Sequence, residues 1–186
     1  MNQRFTINSS SWDAMKRGDV KTFEHLYKSF YSDLFHYAVK LTTQPELAED
    51  AIHDTFTYIW QNRKQLGKVT SVKFYLLRSV RNRCLKLLQK GQRLETLEKV
   101  EQNIELVIQP EELELGGESQ ATRAHIQTAL HGLSGRQREI IFLKYFNNLD
   151  YQEIAELLSI NYQSVVNHIH RAVVKLRKAE DLQHFK

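Results

Sequence analysis

The 186-residue sequence predicts an all-α protein of two small helical domains joined by an acidic linker. Long stretches repeat apolar residues every three or four positions, the period of a helix with one buried face. Only two prolines and seven glycines interrupt them, too few for a turn-dense or strand-rich fold. Between the periodic stretches the charge reverses. Residues 1–90 carry 15 Lys/Arg against 8 Asp/Glu, residues 91–119 carry 2 against 8, and residues 120–186 carry 9 against 6. The boundaries that follow are a first domain over 10–90, an acidic linker over 91–119 and a second domain over 120–186. Two basic blocks suit a polyanionic partner, because lysine and arginine displace counterions from phosphates.

The first block divides into four helices. A short one, Ser11 to Arg17, has serines able to cap its start and Gly18 to end it. The next, Val20 to Leu41, places Phe23, Leu26, Tyr27, Phe30, Leu34, Tyr37, Ala38 and Leu41 on one face. This aromatic stripe reads as core, not as a base-stacking platform. The third opens at Pro45, a favoured first-turn residue. It buries Leu47, Ala48, Ala51, Ile52, Thr55, Phe56, Ile59 and Trp60, and leaves Glu49, Asp50, His53, Asp54, Thr57 and Gln61 on the opposite side. A polar loop with Gly67 leads to the fourth, about Val72 to Lys90. Its expected core face is Val72, Tyr75, Leu76, Val80, Leu87 and Leu88, with Lys73, Arg78, Arg81, Asn82, Arg83 and Lys86 around it.

Residues 91–119 contain Pro110 and Gly116-Gly117 and show no sustained helical period beyond a turn or two around Arg93 to Val100. A stretch of that length between periodic segments argues for two domains. The second block begins with a helix near Gln120 to His131. Ser134-Gly-Arg-Gln137 forms a capping box, serine at the cap and glutamine three residues on, and Asp150-Tyr-Gln-Glu153 repeats the device.

The last two helices, Tyr151 to Leu158 and about Tyr162 to Lys178, are separated by Ser159-Ile160-Asn161. Ala155 is small where helices cross, Ile154, Leu158 and Ile160 fill the angle, and Val165, Ile169, Ala172 and Leu176 face inward. This is the pattern of a helix-turn-helix, whose second helix enters the DNA major groove. Its outward side carries Gln163, Ser164, Asn167, His168 and Arg171. Glutamine and asparagine can pair with adenine through two hydrogen bonds, and arginine with guanine or phosphate. An ordinary antiparallel helix pair with a polar outer face has the same spacing.

The segment Leu133-Ser-Gly-Arg-Gln-Arg-Glu-Ile-Ile-Phe-Leu-Lys-Tyr-Phe146, with Tyr151-Gln-Glu-Ile-Ala-Glu-Leu-Leu158 and His170-Arg-Ala172, resembles the C-terminal domain of RNA polymerase sigma factors. Ala48-Glu-Asp-Ala-Ile-His-Asp-Thr-Phe56 with Ile59-Trp60 resembles that family's polymerase-binding helix, and Tyr75-Leu-Leu-Arg-Ser-Val-Arg-Asn82 its promoter-melting helix. The two sets occur in the family's order and resemble the extracytoplasmic-function class, which lacks the additional regions of larger members. The resemblance implies a region 2 domain, a linker and a region 4 domain. It implies that Glu49, Asp50, His53, Asp54 and Gln61 bind core RNA polymerase, that Lys73, Arg78, Arg81, Asn82 and Arg83 with the loop Gly67 to Ser71 meet the −10 element, and that Gln163, Ser164, Asn167, His168 and Arg171 read the −35 element. It also implies an anti-sigma partner, often membrane-anchored, and a linker that threads polymerase channels. Ser159 stands where the family often has glycine, Val166, Asn167 and His168 stand where lysine, serine and arginine are common, and Lys86 stands where aspartate is usual.

No catalytic, cofactor or metal site is expected. No histidine pair has the His-Glu-x-x-His arrangement, and His168 and His170, two apart, cannot share a helical face. There is no glycine-rich phosphate loop and no nucleophile elbow. The single Cys84 excludes a disulfide within the chain and points to a reducing, cytoplasmic setting. Residues Met1 to Ser11 lack the apolar core of an export signal, and no run is long enough to span a membrane. Two other readings stay open from the residues: a stand-alone DNA-binding regulator, which needs no polymerase face, and a decoy that binds polymerase without initiating.

Overall fold

The computed structural model describes residues 9–92, 96–102, 104, 106–108 and 127–181. Every regular element among them is a helix: α1 (Ser9–Lys16), α2 (Val20–Thr42), α3 (Pro45–Gln61), α4 (Val72–Gln92), α5 (Leu97–Gln102), α6 (Gly135–Tyr145), α7 (Tyr151–Leu158) and α8 (Tyr162–Asp181). Residues 127–131 are helical as well. The chain divides into two compact units, residues 1–101 and 102–186.

In the first unit α2, α3 and α4 pack on one another and α1 packs on α2. Helix α2 starts at Asp19, whose carboxylate accepts the Thr22 amide at 3.1 Å and the Thr22 hydroxyl at 3.0 Å. Those bonds favour the charged form and lower the Asp19 pKa, the amide first. The helix ends at Thr43, left-handed at φ 57°, and α3 restarts with Pro45 in its first turn. Leu26, Leu34, Tyr37, Ala38 and Leu41 of α2 face Ala48, Ala51, Ile52, Phe56 and Ile59 of α3 in a common core. Phe23, Tyr27 and Phe30 are half-buried. Phe23 and Tyr27 meet the Phe56 ring edge-on at 5.9 and 4.9 Å, and Phe23 meets Trp60 at 4.8 Å, so the aromatic stripe joins α2 to α3. From α1, the fully buried Trp12 donates to the Gly67 carbonyl at 3.1 Å and abuts the Tyr75 ring at 5.0 Å. This fixes the loop before α4.

Helix α4 buries Val72, Leu76, Leu77, Val80, Cys84, Leu85 and Leu88. Burial pushes the Cys84 thiol up to about 12, which leaves it protonated and unreactive. Arg81 shares this buried stripe at 2% exposure, and its Nη1 pairs with Glu101 of α5 at 2.9 Å. Thus α5, inside the expected linker, belongs to the first unit and buries Val100 there.

The expected linker is therefore structured where it is described. Ile104, Leu106 and Ile108 are buried while Val107 is exposed, a period of two in place of 3.6. They belong to the second unit. Arg138 of α6 donates to the Leu106 carbonyl at 2.5 Å and to the Leu133 carbonyl at 2.6 Å. A Cβ on Gly135 would overlap the Ile104 carbonyl, so the close approach at the start of α6 requires glycine. Residues 109–119 of the expected linker and 120–126 of the helix after it lie outside the described residues.

Both capping boxes form: Ser134 with Gln137 opens α6, and Asp150 with Glu153 opens α7. Helix α7 ends in a Schellman turn. Ser159 is left-handed at φ 53°, and the Ile160 amide returns to the Ala155 carbonyl at 3.0 Å. Asn161 then accepts the Ser164 amide at 2.7 Å and starts α8. Ile154, Ala155, Leu157 and Leu158 of α7 and Val165, Ile169 and Ala172 of α8 are buried. Leu176 is only half-buried.

A left-handed conformation costs an L-residue more than glycine, partly offset by glycine's greater unfolded-state freedom. Ser159→Gly is expected to stabilise the second unit by roughly 0.5–1 kcal/mol. Urea unfolding monitored by circular dichroism checks this, and an unchanged or lower midpoint contradicts it.

Candidate polymerase and nucleic-acid interfaces

Helix α3 separates its residues cleanly. With Ala48, Ala51, Ile52, Thr55, Phe56 and Ile59 buried, Glu49, Asp50, His53 and Gln61 are exposed and Asp54 is partly so. These are the acidic and polar positions expected to meet a protein partner. Tyr58, four residues after Asp54, joins the same side at 59% exposure. The sequence reading missed it, although the four-residue step from Asp54 was the signal.

The basic residues of α4 are distributed differently from expectation. Arg78, Asn82 and Arg83 are exposed. Lys73 is half-buried and pairs with Asp33 of α2 at 2.9 Å. Arg81 departs from its expected role at the −10 strand, because its guanidinium lies inside the unit on Glu101. An arginine so buried must keep a counter-charge, and exposing it to DNA would open the α4–α5 packing. Its position follows from spacing: residues 77, 81, 84 and 88 fall on the apolar stripe of α4. Next to the exposed residues, Asp54, Thr55, Tyr58, Ile59, Ser79, Asn82, Arg83 and Lys86 line a cleft of about 290 Å³ between α3 and α4.

In the second unit Gln163, Asn167 and Arg171 are exposed along one side of α8, with Ser164 and His168 half-buried beside them. Spacings of three and four bring all five to one face. Gln163 donates to Asn167 at 3.1 Å, which aligns the two amides on the exposed side of α8. His168 lies in the field of Arg136 from α6 and of Arg171. Burial first, then those two guanidiniums, hold its pKa below the ordinary 6.5, and its Nδ1 is buried without a hydrogen-bond partner. Arg136, absent from the sequence-based set, reaches this face from another helix and is oriented by the buried Glu139 at 3.3 Å. Nothing in local spacing announces it. At the other side, Tyr162 is half exposed and lies 6.0 Å from Tyr151, whose ring faces the Lys144 ammonium at 5.1 Å.

Among the described residues no three His, Cys, Asp or Glu side chains converge as metal ligands, and no helix is long and apolar enough to cross a membrane. The fold and its faces define a helical DNA-binding protein of two units, one ending in a helix-turn-helix and the other carrying an acidic helix face beside a basic one.

Comparison with known proteins agrees. Residues 26–94 match the family described as Sigma-70 region 2, and residues 123–176 match Sigma-70, region 4. RNA polymerase sigma factor YlaC of Bacillus subtilis (strain 168) is 25% identical over 169 residues, 88% of this chain and 94% of its own. Among solved structures, CnrH in complex with the cytosolic domain of CnrY superposes with a TM-score of 0.61 at 19% identity, covering 94% of this chain and 97% of that one. RpoE from Bartonella quintana, in a co-crystal with the anti-sigma factor NepR, superposes with a TM-score of 0.60 at 22% identity, covering 87% and 98%. At such identities these two structures support the fold.

The chain belongs to the sigma-70 family of RNA polymerase sigma factors, in its extracytoplasmic-function class. It binds core RNA polymerase and promoter DNA to initiate transcription, and it is not an enzyme.

The depressed His168 pKa has a consequence for stability. The unfolded chain takes up this proton first, so the contribution of neutral His168 is present above about pH 6.5 and is lost as pH falls below it. Acidification from pH 7.5 to 5.5 is expected to destabilise the native chain more than a His168→Gln variant. Equal pH slopes in thermal unfolding of the two contradict this.

Proposed function

We propose that the faces divide the work of promoter recognition as follows. Glu49, Asp50, His53, Asp54 and Gln61 on the outside of α3 dock on a basic surface of core RNA polymerase. Arg78, Asn82 and Arg83, with Lys73 at the start of α4, meet the single strand and phosphates of the −10 element. Gln163, Ser164, Asn167, His168 and Arg171 on α8 read the −35 element. Arg81 is left to the α5 anchor.

The observation that carries this reading is the segregation on α3, where every acidic side chain lies opposite the buried stripe. A helix that only needed to stay solvated gains from basic residues interleaved among its acids, yet α3 carries Glu46, Glu49, Asp50 and Asp54 and no lysine or arginine, although like charges at three- and four-residue spacing repel. An anti-sigma factor is the proposed regulator, supported by the likeness to RpoE, whose structure is a complex with one. The proposed compartment is the cytoplasm, where polymerase acts and where the single buried Cys84 stays reduced.

The deciding experiment is run-off transcription with core polymerase and a pool of genomic promoter fragments. New, specific start sites are expected. Polymerase binding without transcripts supports a decoy, and absence of polymerase binding supports a stand-alone regulator. Two variants test the division of faces. Asp50→Lys combined with Asp54→Lys is expected to weaken core-polymerase affinity at least tenfold in a fluorescence titration, and unchanged affinity removes α3 from the docking surface. Arg171→Ala is expected to cost about 1–3 kcal/mol of −35 duplex binding by holoenzyme, concentrated at one base position. A uniform loss across all sequences makes Arg171 a phosphate contact instead.

A further inference from the structure

Asp54 and Arg83 belong to different proposed faces, yet they hold each other. Arg83 donates its Nη2 and Nε to the same Asp54 oxygen, Oδ2, at 2.5 and 2.8 Å, bridging α3 and α4. Both side chains are partly open to solvent, Arg83 at 44% and Asp54 at 38%. An ion pair so exposed is weak enough to be exchanged for another partner. The cleft they line is walled by the half-exposed Tyr58 ring on one side and by Ser79, Asn82 and Lys86 on the other.

We infer that Asp54 is an exchangeable counter-ion: it holds Arg83 until a basic side chain of core polymerase enters this cleft and takes the carboxylate, releasing Arg83 to a promoter phosphate. This rests on the docking face proposed for α3 and deepens it. Three features support the exchange. The open cleft gives an incoming guanidinium or ammonium a path to the Asp54 carboxylate. The Tyr58 face can hold such a cation once it arrives. Lys86 already lines the cleft, so a further cation beside Arg83 and Lys86 raises the local positive charge around one carboxylate. That repulsion drives out Arg83, the group on the side proposed to face DNA, where a polyanion stabilises it.

Exchange makes the two partners help each other. Polymerase frees Arg83 for DNA, and DNA that captures Arg83 frees Asp54 for polymerase. Because linkage is reciprocal, each partner must raise the affinity of the other by the same factor.

The test uses the full chain and conservative variants at these exposed positions, with cooperative thermal unfolding checked for each. Arg83→Gln removes the competitor for Asp54 and is expected to tighten binding to core polymerase without DNA by about two- to fivefold, the range set by exposed ion pairs. Asp54→Asn is expected to tighten binding of the isolated chain to a −10 single-stranded oligonucleotide by a similar factor. Core affinity that is unchanged or weaker in Arg83→Gln overturns the exchange, as does oligonucleotide affinity that is unchanged or weaker in Asp54→Asn. The paired lysine variant on α3 separates the two levels of argument. If it leaves polymerase binding intact, the docking face itself fails. If it abolishes binding while Arg83→Gln gives no gain, the docking face stands and the exchange fails.

Discussion

A long helix in a small domain has one stripe to bury and the rest of its circumference to give to solvent or partners, and this division governs the first unit. Helices α2, α3 and α4 each contribute an apolar stripe to one core. Fully burying a single large aliphatic or aromatic side chain contributes about 1.5–3 kcal/mol, so rotating α3 to offer another face would forfeit Ile52, Phe56 and Ile59 together. The outer face of α3 is therefore fixed in place by its inner face. The same holds for α4, with an added constraint. Arg81 sits on its buried stripe and ties α5 to the unit through Glu101. Breaking that pair would strand a charge in the interior, a change that typically costs about 3–5 kcal/mol.

The second unit is governed more by its turns than by its core. Two capping boxes and the Schellman turn at Ser159 satisfy backbone groups at three helix ends within a short span of chain. Because these devices set where each helix starts and stops, they set the angle at which α8 leaves α7, and so which of its residues can face a groove. The chain before α6 adds a further restraint through Ile104, Leu106 and Ile108, held at Gly135 and Arg138. A segment whose composition reads as linker is here packed against α6 as part of the second unit.

What the residues disclosed in advance follows the range of the interactions involved. The capping boxes, the helix-turn-helix and the acidic face of α3 are local patterns, and each is found where spacing puts it. The contribution of Arg136 to the α8 face depends on the packing of α6 against α8, which no local window contains. Arg81 is a different case. Its four-residue steps from Leu77 and to Leu85 lie on the buried stripe, but its charge argued for the surface, and only the distant Glu101 makes burial tolerable. Ile104, Leu106 and Ile108 alternate with a period of two within a chain otherwise of helical period, and the acids around them give the region the composition of a solvated linker. The exposed side of α4 is thus legible in Arg78, Asn82 and Arg83, whereas Arg81 lies on the buried stripe.

The outward face of α8, proposed to read the −35 element, offers more hydrogen-bonding groups than charges. Where lysine, serine and arginine are common, this chain has Val166, Asn167 and His168, and the burial and neighbouring guanidiniums that depress the His168 pKa keep the imidazole largely neutral. Non-specific affinity for DNA rises with each cation set against a phosphate, and so does its sensitivity to salt. A face whose groups are a paired glutamine and asparagine, a neutral histidine, the exposed Arg171 and the half-buried Arg136 gains less from that term than one lined with lysines and arginines. On the proposed assignment it discriminates through amide contacts to base edges, which depend on accurate placement. Accurate placement is what the turns around α7 supply. On the same assignment α8 gains affinity from being carried on one chain with a second unit proposed to meet DNA, since a covalent link raises the effective concentration of each site for the other. On this argument the two units are not redundant readers. In the proposed division the more basic first unit and its polymerase partner supply attraction, and the second, with Arg171 and Arg136 as the cations at its proposed reading face, supplies discrimination.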